Sequence, residues 1–137
     1  MQNLSYGSQH GCYIDDTGAG ICFGSDSYGE LGLGYSPSGN FNKPSEITEI
    51  SDELKYISAG NYATCVITTD DELHCGGDTS NRLNQPYNTC SGADNQNDWC
   101  QVNLNSNSWN SEKPVSVDIG YKTACVFMDS SRLICWG

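Results

Sequence analysis

Apolar positions recur along this chain in one order, three times over. Leu4, Ile57 and Val117 each stand three residues ahead of a glycine (Gly7, Gly60, Gly120) and eight ahead of a cysteine (Cys12, Cys65, Cys125). Each cysteine runs into an apolar-rich pair, Tyr13-Ile14, Val66-Ile67 or Val126-Phe127, and then into a polar turn. An apolar residue and a second cysteine follow, in Ile21-Cys22, Leu73-His74-Cys75 and Leu133-Ile134-Cys135, and glycine closes each unit at Gly24, Gly76-Gly77 and Gly137. Such a unit predicts a short strand, a glycine-containing bend and a β-hairpin. Its recurrence after 53 and then 60 residues, counted from Cys12 to Cys65 to Cys125, predicts a repeat array of stacked units.

The cysteines follow a rule of their own. Cys12/Cys22, Cys65/Cys75, Cys90/Cys100 and Cys125/Cys135 each enclose nine residues, so one spacing accounts for all eight. Eight cysteines admit 105 pairings, and the recurring spacing favours the four local ones. Directly opposed antiparallel residues lie roughly 4.5 to 5.5 Å apart, within the reach of a disulfide, so each bridge can staple a hairpin near its open end. Zinc sites bring ligands in pairs two to four residues apart, a spacing these cysteines lack. Disulfides imply an oxidising compartment, and an extracellular or periplasmic location is expected.

Composition taken alone points elsewhere. Only 24 of 137 residues are Leu, Ile, Val or Phe, and the net charge is -11, a balance typical of disordered chains. Eight Tyr, three Trp and eight Cys weigh against disorder, because aromatics bury large areas and cysteines staple small cores. The acidic balance argues against binding a phosphate backbone. No apolar run approaches the roughly 20 residues of a membrane span, and Met1 to Asp15 lack the basic and apolar regions of a secretory signal.

After the first hairpin, Gly29 and Gly32 align with Asn81 and Asn84 of the second unit. Asn tolerates a left-handed backbone as Gly does, so the exchange predicts the same loop conformation rather than a phosphate cradle. The motif Gly7-x-x-His10-x-Cys12-x-Ile14-Asp15, then Ile21-Cys22-x-Gly24-x-x-x-x-Gly29-Glu30-Leu31-Gly32-x-Gly34 and Pro44-x-x-Ile47, resembles the repeat of the regulator of chromosome condensation family. Cys135-Trp136-Gly137 resembles the secreted, disulfide-bridged variant of that repeat. The resemblance implies an all-β fold of antiparallel four-stranded propeller blades, one per repeat, in a family that closes rings of about seven blades.

The units are 1–56, 57–116 with an inserted disulfide loop at about 87–112, and 117–137 as a strand and hairpin only. Ala63 and Thr123 replace the family's histidine, and Gly76 stands where an aromatic residue precedes the closing glycine. The outer strand of the second blade has no clear sequence. About two and a third repeats cannot close a ring, and open strand edges invite pairing with another chain. The chain is therefore expected to be part of a longer one, to have its blades completed by neighbours, or to form a short open stack.

Candidate chemistry is sparse. His10 holds the position that the resemblance assigns to hydrogen bonding within or between blades, and His74 lies beside Cys75 on a strand. There is no Gly-x-Ser-x-Gly elbow and no His-Glu-x-x-His helix, so no catalytic residues are expected. Asp15-Asp16 and Asp70-Asp71 are turn residues. In the inserted loop, Asp94, Gln96 and Asp98 alternate loosely like calcium ligands, but the required Gly and terminal Glu are missing. No cofactor is expected, calcium being the one ion this loop leaves open. Trp99 and Trp109, with Asp94 and Asp98, form the candidate binding surface, because loop aromatics in polar surroundings suit recognition. One glycosylation sequon occurs, at Asn3-Leu4-Ser5.

These features predict a non-catalytic, secreted or cell-surface module that binds protein or assembles with itself through open sheet edges. Lectin-like carbohydrate binding through the Trp-bearing loop is one alternative. A nucleotide-exchange or chromatin role, by analogy with the family's namesake, is another. Charge and paired cysteines argue against that last role, and no nucleic-acid partner is expected.

Overall fold

The computed structural model describes residues 2–33, 40–78, 99–102 and 111–137. These residues form strands and turns, and among them no helix is long and apolar enough to cross a membrane. The first sheet consists of β1 (Gln2–Tyr6), β2 (His10–Ile14), β3 (Gly20–Ser25) and β4 (Asn40–Glu46) in sequence order. The second repeats that plan with β5 (Leu54–Ala59), β6 (Ala63–Thr68), β7 (Leu73–Gly77) and β8 (Cys100–Val102). The third has three strands, β9 (Pro114–Ile119), β10 (Ala124–Met128) and β11 (Leu133–Trp136). All pairings are antiparallel meanders, as propeller blades require.

Within each hairpin the cysteines stand directly opposite one another. Cys12–Cys22, Cys65–Cys75 and Cys125–Cys135 are disulfides with Cα atoms 4.2, 4.1 and 4.1 Å apart. Cys100 is also disulfide-bonded, and Cys90, the partner expected for it, lies outside the described residues. The first two bridges sit at mid-hairpin, because pairing continues past them, whereas the third lies near the open end, with only Ala124 and Trp136 paired beyond it. His10 faces Gly24 and Ala63 faces Gly77, two positions beyond each bridge.

The outer strand of the second blade comes from the insertion. Cys100–Val102 pairs with β7, placing Val102 opposite Leu73 and Cys100 opposite Cys75. Pro114 does not supply an outer strand to the second unit, since it opens β9, the inner strand of the third. A proline at a strand's first residue sacrifices no interior ladder bond.

Side-chain parity decides where the core lies. Cys12, Ile14 and Cys22 point into the cluster shared by blades one and two, with Leu54, Ile57 and Val66 of blade two. Cys65, Ile67 and Cys75 point the other way, into a cluster with Val117, Ala124, Val126 and Met128 of blade three. Every residue of β6 is therefore buried, the pattern of a sheet covered on both faces. Each of these two disulfides faces the blade that follows it in the chain.

The hairpin turns share one backbone solution. The residue six positions after each first cysteine is left-handed: Gly18 at φ 87°, Asp71 at φ 67° and Ser131 at φ 68°. In the first turn, Asp15 Oδ1 accepts from the Thr17 and Ala19 amides and from the Thr17 hydroxyl. Asp71 accepts charge-assisted bonds from Lys55 and Lys113. Ser131 is exposed and carries its left-handed strain at a cost of roughly 1–2 kcal/mol. Ser131→Gly removes that strain at the expense of unfolded-state entropy, so a net gain of about 0.5–1 kcal/mol is expected in denaturant titration. Asp71→Gly should gain less, because it forfeits both lysine contacts.

Candidate functional site

Three buried groups able to do chemistry, His10, Asp26 and Glu30, gather between blades one and two, where β2 and the loop after β3 meet β6. The loop Asp26 to Leu31 is wound by two left-handed glycines, Gly29 at φ 76° and Gly32 at φ 64°, as the Gly/Asn exchange predicts. Asn81 and Asn84, the aligned residues, lie outside the described residues. Winding turns both loop acids inward: Glu30 is 0% and Asp26 1% exposed. Asp26 Oδ1 accepts from the Leu31 amide at 2.8 Å, and Glu30 Oε2 accepts from the Tyr28 amide at 2.7 Å. The other oxygen of each carboxyl has no hydrogen-bond partner among the described residues.

His10 faces this loop through Thr64. The Thr64 hydroxyl donates to the Glu30 carbonyl at 2.8 Å, and His10 Nε2 lies 2.7 Å from the same hydroxyl oxygen. Thr64 has one proton and gives it to Glu30, so His10 Nε2 donates and Nδ1 is the unprotonated nitrogen. Burial lowers the His10 pKa to about 4, against a smaller opposing contribution from a backbone bond to Ala63. The imidazole is thus a neutral interblade strut. His74, by contrast, meets the nearby acid Glu72 of its own hairpin at 3.1 Å.

Burial also raises the Glu30 pKa to about 7, offset in part by the Glu30 and Tyr28 amides and reinforced by Asp26. Asp26 is raised by burial too, against the Leu31 bond. Sealed groups of this kind cannot meet a diffusing substrate, so the cluster positions the loop against β6.

Trp99 is the residue whose role changes most. Expected on a contact surface, it is 9% exposed and belongs to the core cluster of blades one and two. Its indole Nε1 donates to the Gly29 carbonyl at 3.0 Å. A Cβ at Gly76 would meet the ring at 2.1 Å, and one at Gly32 would meet it at 2.9 Å. Phe23 and Trp136 occupy the place of Gly76 in the other hairpins. The second blade therefore takes its missing aromatic from within the insertion. The sequence carries a signal of this exchange: a glycine at an aromatic position, and a tryptophan immediately before Cys100. Asp94, Asp98 and Trp109 lie outside the described residues, as do the calcium-like positions.

Among the described residues, two shallow grooves of about 170 and 260 Å³ occur, the first beside Glu46, Asp52 and Glu53, the second beside Tyr6, Gly11 and Phe23. Both fall below the roughly 300–1,000 Å³ of small-ligand pockets.

Two outcomes follow from this interface. Trp99→Ala empties a ring-sized space and should cost about 3–5 kcal/mol by denaturant unfolding. Folded Glu30 keeps its proton to about pH 7 but releases it near 4.5 when unfolded, so rising pH through that window costs stability. Folded His10 resists protonation down to about pH 4 against 6.5 unfolded, so falling pH through that window costs stability. The two slopes oppose each other in the wild type. Glu30→Gln should raise stability at pH 8 by about 1–3 kcal/mol and leave a curve that climbs from pH 4 to 6.5 and then levels.

No family model and no curated protein sequence matches the chain. Solved structures do. Human WBSCR16 superposes with a TM-score of 0.80 at 14% identity, over 98% of this chain and 32% of its own. Prp20p from Saccharomyces cerevisiae, the yeast RCC1, gives 0.73 at 16% identity over 98% and 32%. The CRINKLY WD40 ectodomain of the Arabidopsis thaliana receptor kinase ACR4 gives 0.53 at 19% over 98% and 36%. The chain thus spans about a third of the length of the structures it matches, and the expected fold is borne out: its sheets are blades of the RCC1-type β-propeller.

Proposed function

We infer that this chain is a non-catalytic, protein-binding propeller segment that works outside the cell. The carrying observation is the set of cross-strand disulfides at the same register in every described hairpin, which suits an oxidising compartment and a rigid display scaffold. Proteins of the same fold offer parallels. Yeast Prp20 binds Kap60, Gsp1p and histones, and the ACR4 and Physcomitrella patens CR4 structures are ectodomains of receptor kinases.

The described polar chemistry of the interblade seam is consumed internally. His10 is neutral and spent on Thr64, while Asp26 and Glu30 are sealed. What remains for function is surface, and the 87–112 insertion is anchored to the second blade within its span, by Trp99 and β8. Carbohydrate binding would need exposed tryptophans in the insertion, and burial of Trp99 leaves that reading with Trp109 alone.

Protein produced through a secretory route should show no alkylatable thiol before reduction. On an array of extracellular proteins and glycans, it should retain a protein ligand in the presence of EDTA. Binding to glycans alone would overturn the reading, as would eight free thiols in native protein.

A further inference from the structure

Blade two sets three half-cystines in a single row. Cys65 stands opposite Cys75 across β6 and β7, and Cys75 stands opposite Cys100 across β7 and β8. Val102 belongs to the same buried cluster as Cys65 and Cys75, and Cys100 lies two positions from it on β8. Side-chain alternation therefore puts all three sulfurs on one face of the sheet. In blade one the outer-strand residue across from the second cysteine, Cys22, is Ser45. Among the described residues, only Cys75 has a cysteine opposite it on both sides.

Backbone pairing sets the spacing along the row. The Thr68 amide donates to the Glu72 carbonyl at the hairpin turn. Alternation from there makes Cys65 and Cys75 a non-hydrogen-bonded pair, in accord with their Cα separation of 4.1 Å. A strand residue whose amide and carbonyl turn away from one neighbour turns them toward the other. Cys75 and Cys100 therefore form the hydrogen-bonded type of pair, whose Cα atoms lie about 5.5 Å apart, inside the roughly 4.4 to 6.8 Å range of disulfides. Two bridges are thus within reach of Cys75, the one it makes to Cys65 and another to Cys100.

Burial decides the route between them. Cys65 and Cys75 are 0 and 1% exposed, so a thiol in solvent has no direct path to their bridge. Cys100 is buried as well and is bonded to a different cysteine, for which Cys90 is expected. Exchange proceeds by attack of a thiolate on a disulfide sulfur, in line with the bond that breaks. Across the row, Cys100 approaches Cys75 from the side opposite Cys65, which is the direction of in-line displacement.

We propose that blade two is a thiol–disulfide exchange site, in which Cys100 carries reduction from a low-molecular-weight thiol to the sealed Cys65–Cys75 bridge. A small thiolate attacks the partner sulfur of Cys100, forming a mixed disulfide there and releasing the Cys100 thiolate. Cys100 Sγ then bonds to Cys75 Sγ as the Cys65–Cys75 bond breaks, and the electron pair leaves with Cys65, which takes up a proton. A second small thiol resolves the mixed disulfide. In sum, two small thiols become one disulfide, and the protein exchanges two bridges for one, Cys75–Cys100, and two thiols, on Cys65 and on the former partner of Cys100. The staple thereby moves one strand outward. β8 becomes covalently held to β7, and the insertion loses its expected closing bridge while its return strand stays fixed to the blade.

Native protein treated with reduced glutathione, raised stepwise until blade two opens, then acid-quenched and labelled with a maleimide, tests it. Trypsin cuts after Lys55, Arg82 and Lys122, which leaves Cys65 with Cys75 on one peptide and Cys90 with Cys100 on another. The expected product joins these two peptides through Cys75 and Cys100, with label on Cys65 and label or glutathione on Cys90. Cys12–Cys22, as deeply buried but faced by Ser45, should open about tenfold more slowly or less readily still. In Cys65→Ser no reductant is needed: Cys75 should take Cys100 during folding and leave the free thiol on Cys90. Label on Cys90 and Cys100 with Cys65–Cys75 intact overturns the proposal, as does opening of Cys12–Cys22 at the same rate. A folded Cys65→Ser chain whose free thiol is Cys75 also overturns it, and should that variant fail to fold, the wild-type peptide map decides alone.

Discussion

Each described sheet in this protein has two faces, and among the described residues no helix lies on either, so the fold exists only where one sheet covers the next. That constraint accounts for the arrangement of the described core. Blade two, with a neighbour on both sides, has an inner hairpin strand buried at every position. Blades one and three have one neighbour each within the chain, and their core residues fall on one parity. With few branched aliphatics available, the cross-strand disulfide becomes a packing element as well as a staple. In blades one and two it stands on the face that the following blade covers.

Close approach of neighbouring sheets leaves little room at the blade ends, and backbone takes the place of side chain there. Gly7 lies against Gly60, and Gly60 against Ile119 and Gly120. The Ser8 amide donates to the Gly60 carbonyl, and the Ser8 hydroxyl donates to the Asn61 carbonyl, so neighbouring bends are hydrogen-bonded to each other. Polar side chains then complete what the small core leaves open. Asn3 and Ser5 accept from the Ile57 and Ala59 amides of the next blade, and His10 reaches Thr64. Burying Glu30 and Asp26 beside this seam is costly for a carboxylate, which is why their affinity for protons rises.

Local features are legible in the sequence because their causes are local. The hairpins, their cross-strand cysteine pairs, the polar turns and the left-handed Gly29 and Gly32 all follow from spacing and residue type within about a dozen positions. His10 has the place of a blade strut in the repeat, and the structure supplies Thr64 as its partner. Two features escape the sequence for one reason. Trp99 resembles a surface aromatic because its sequence neighbours include Asn and Asp, and the outer strand of blade two is hidden because the insertion has no strand-like alternation.

Chain order alone therefore determined the repeat, the bridges and the blade as a unit, each being a short-range consequence of apolar, cysteine and glycine placement. Tertiary structure decided which face of each blade is covered, and that a tryptophan inside the insertion fills the gap left by Gly76. Those outcomes depend on which sheets stack and at what distance, and residues with the same place in the repeat differ only in whether a neighbouring blade is there to bury them.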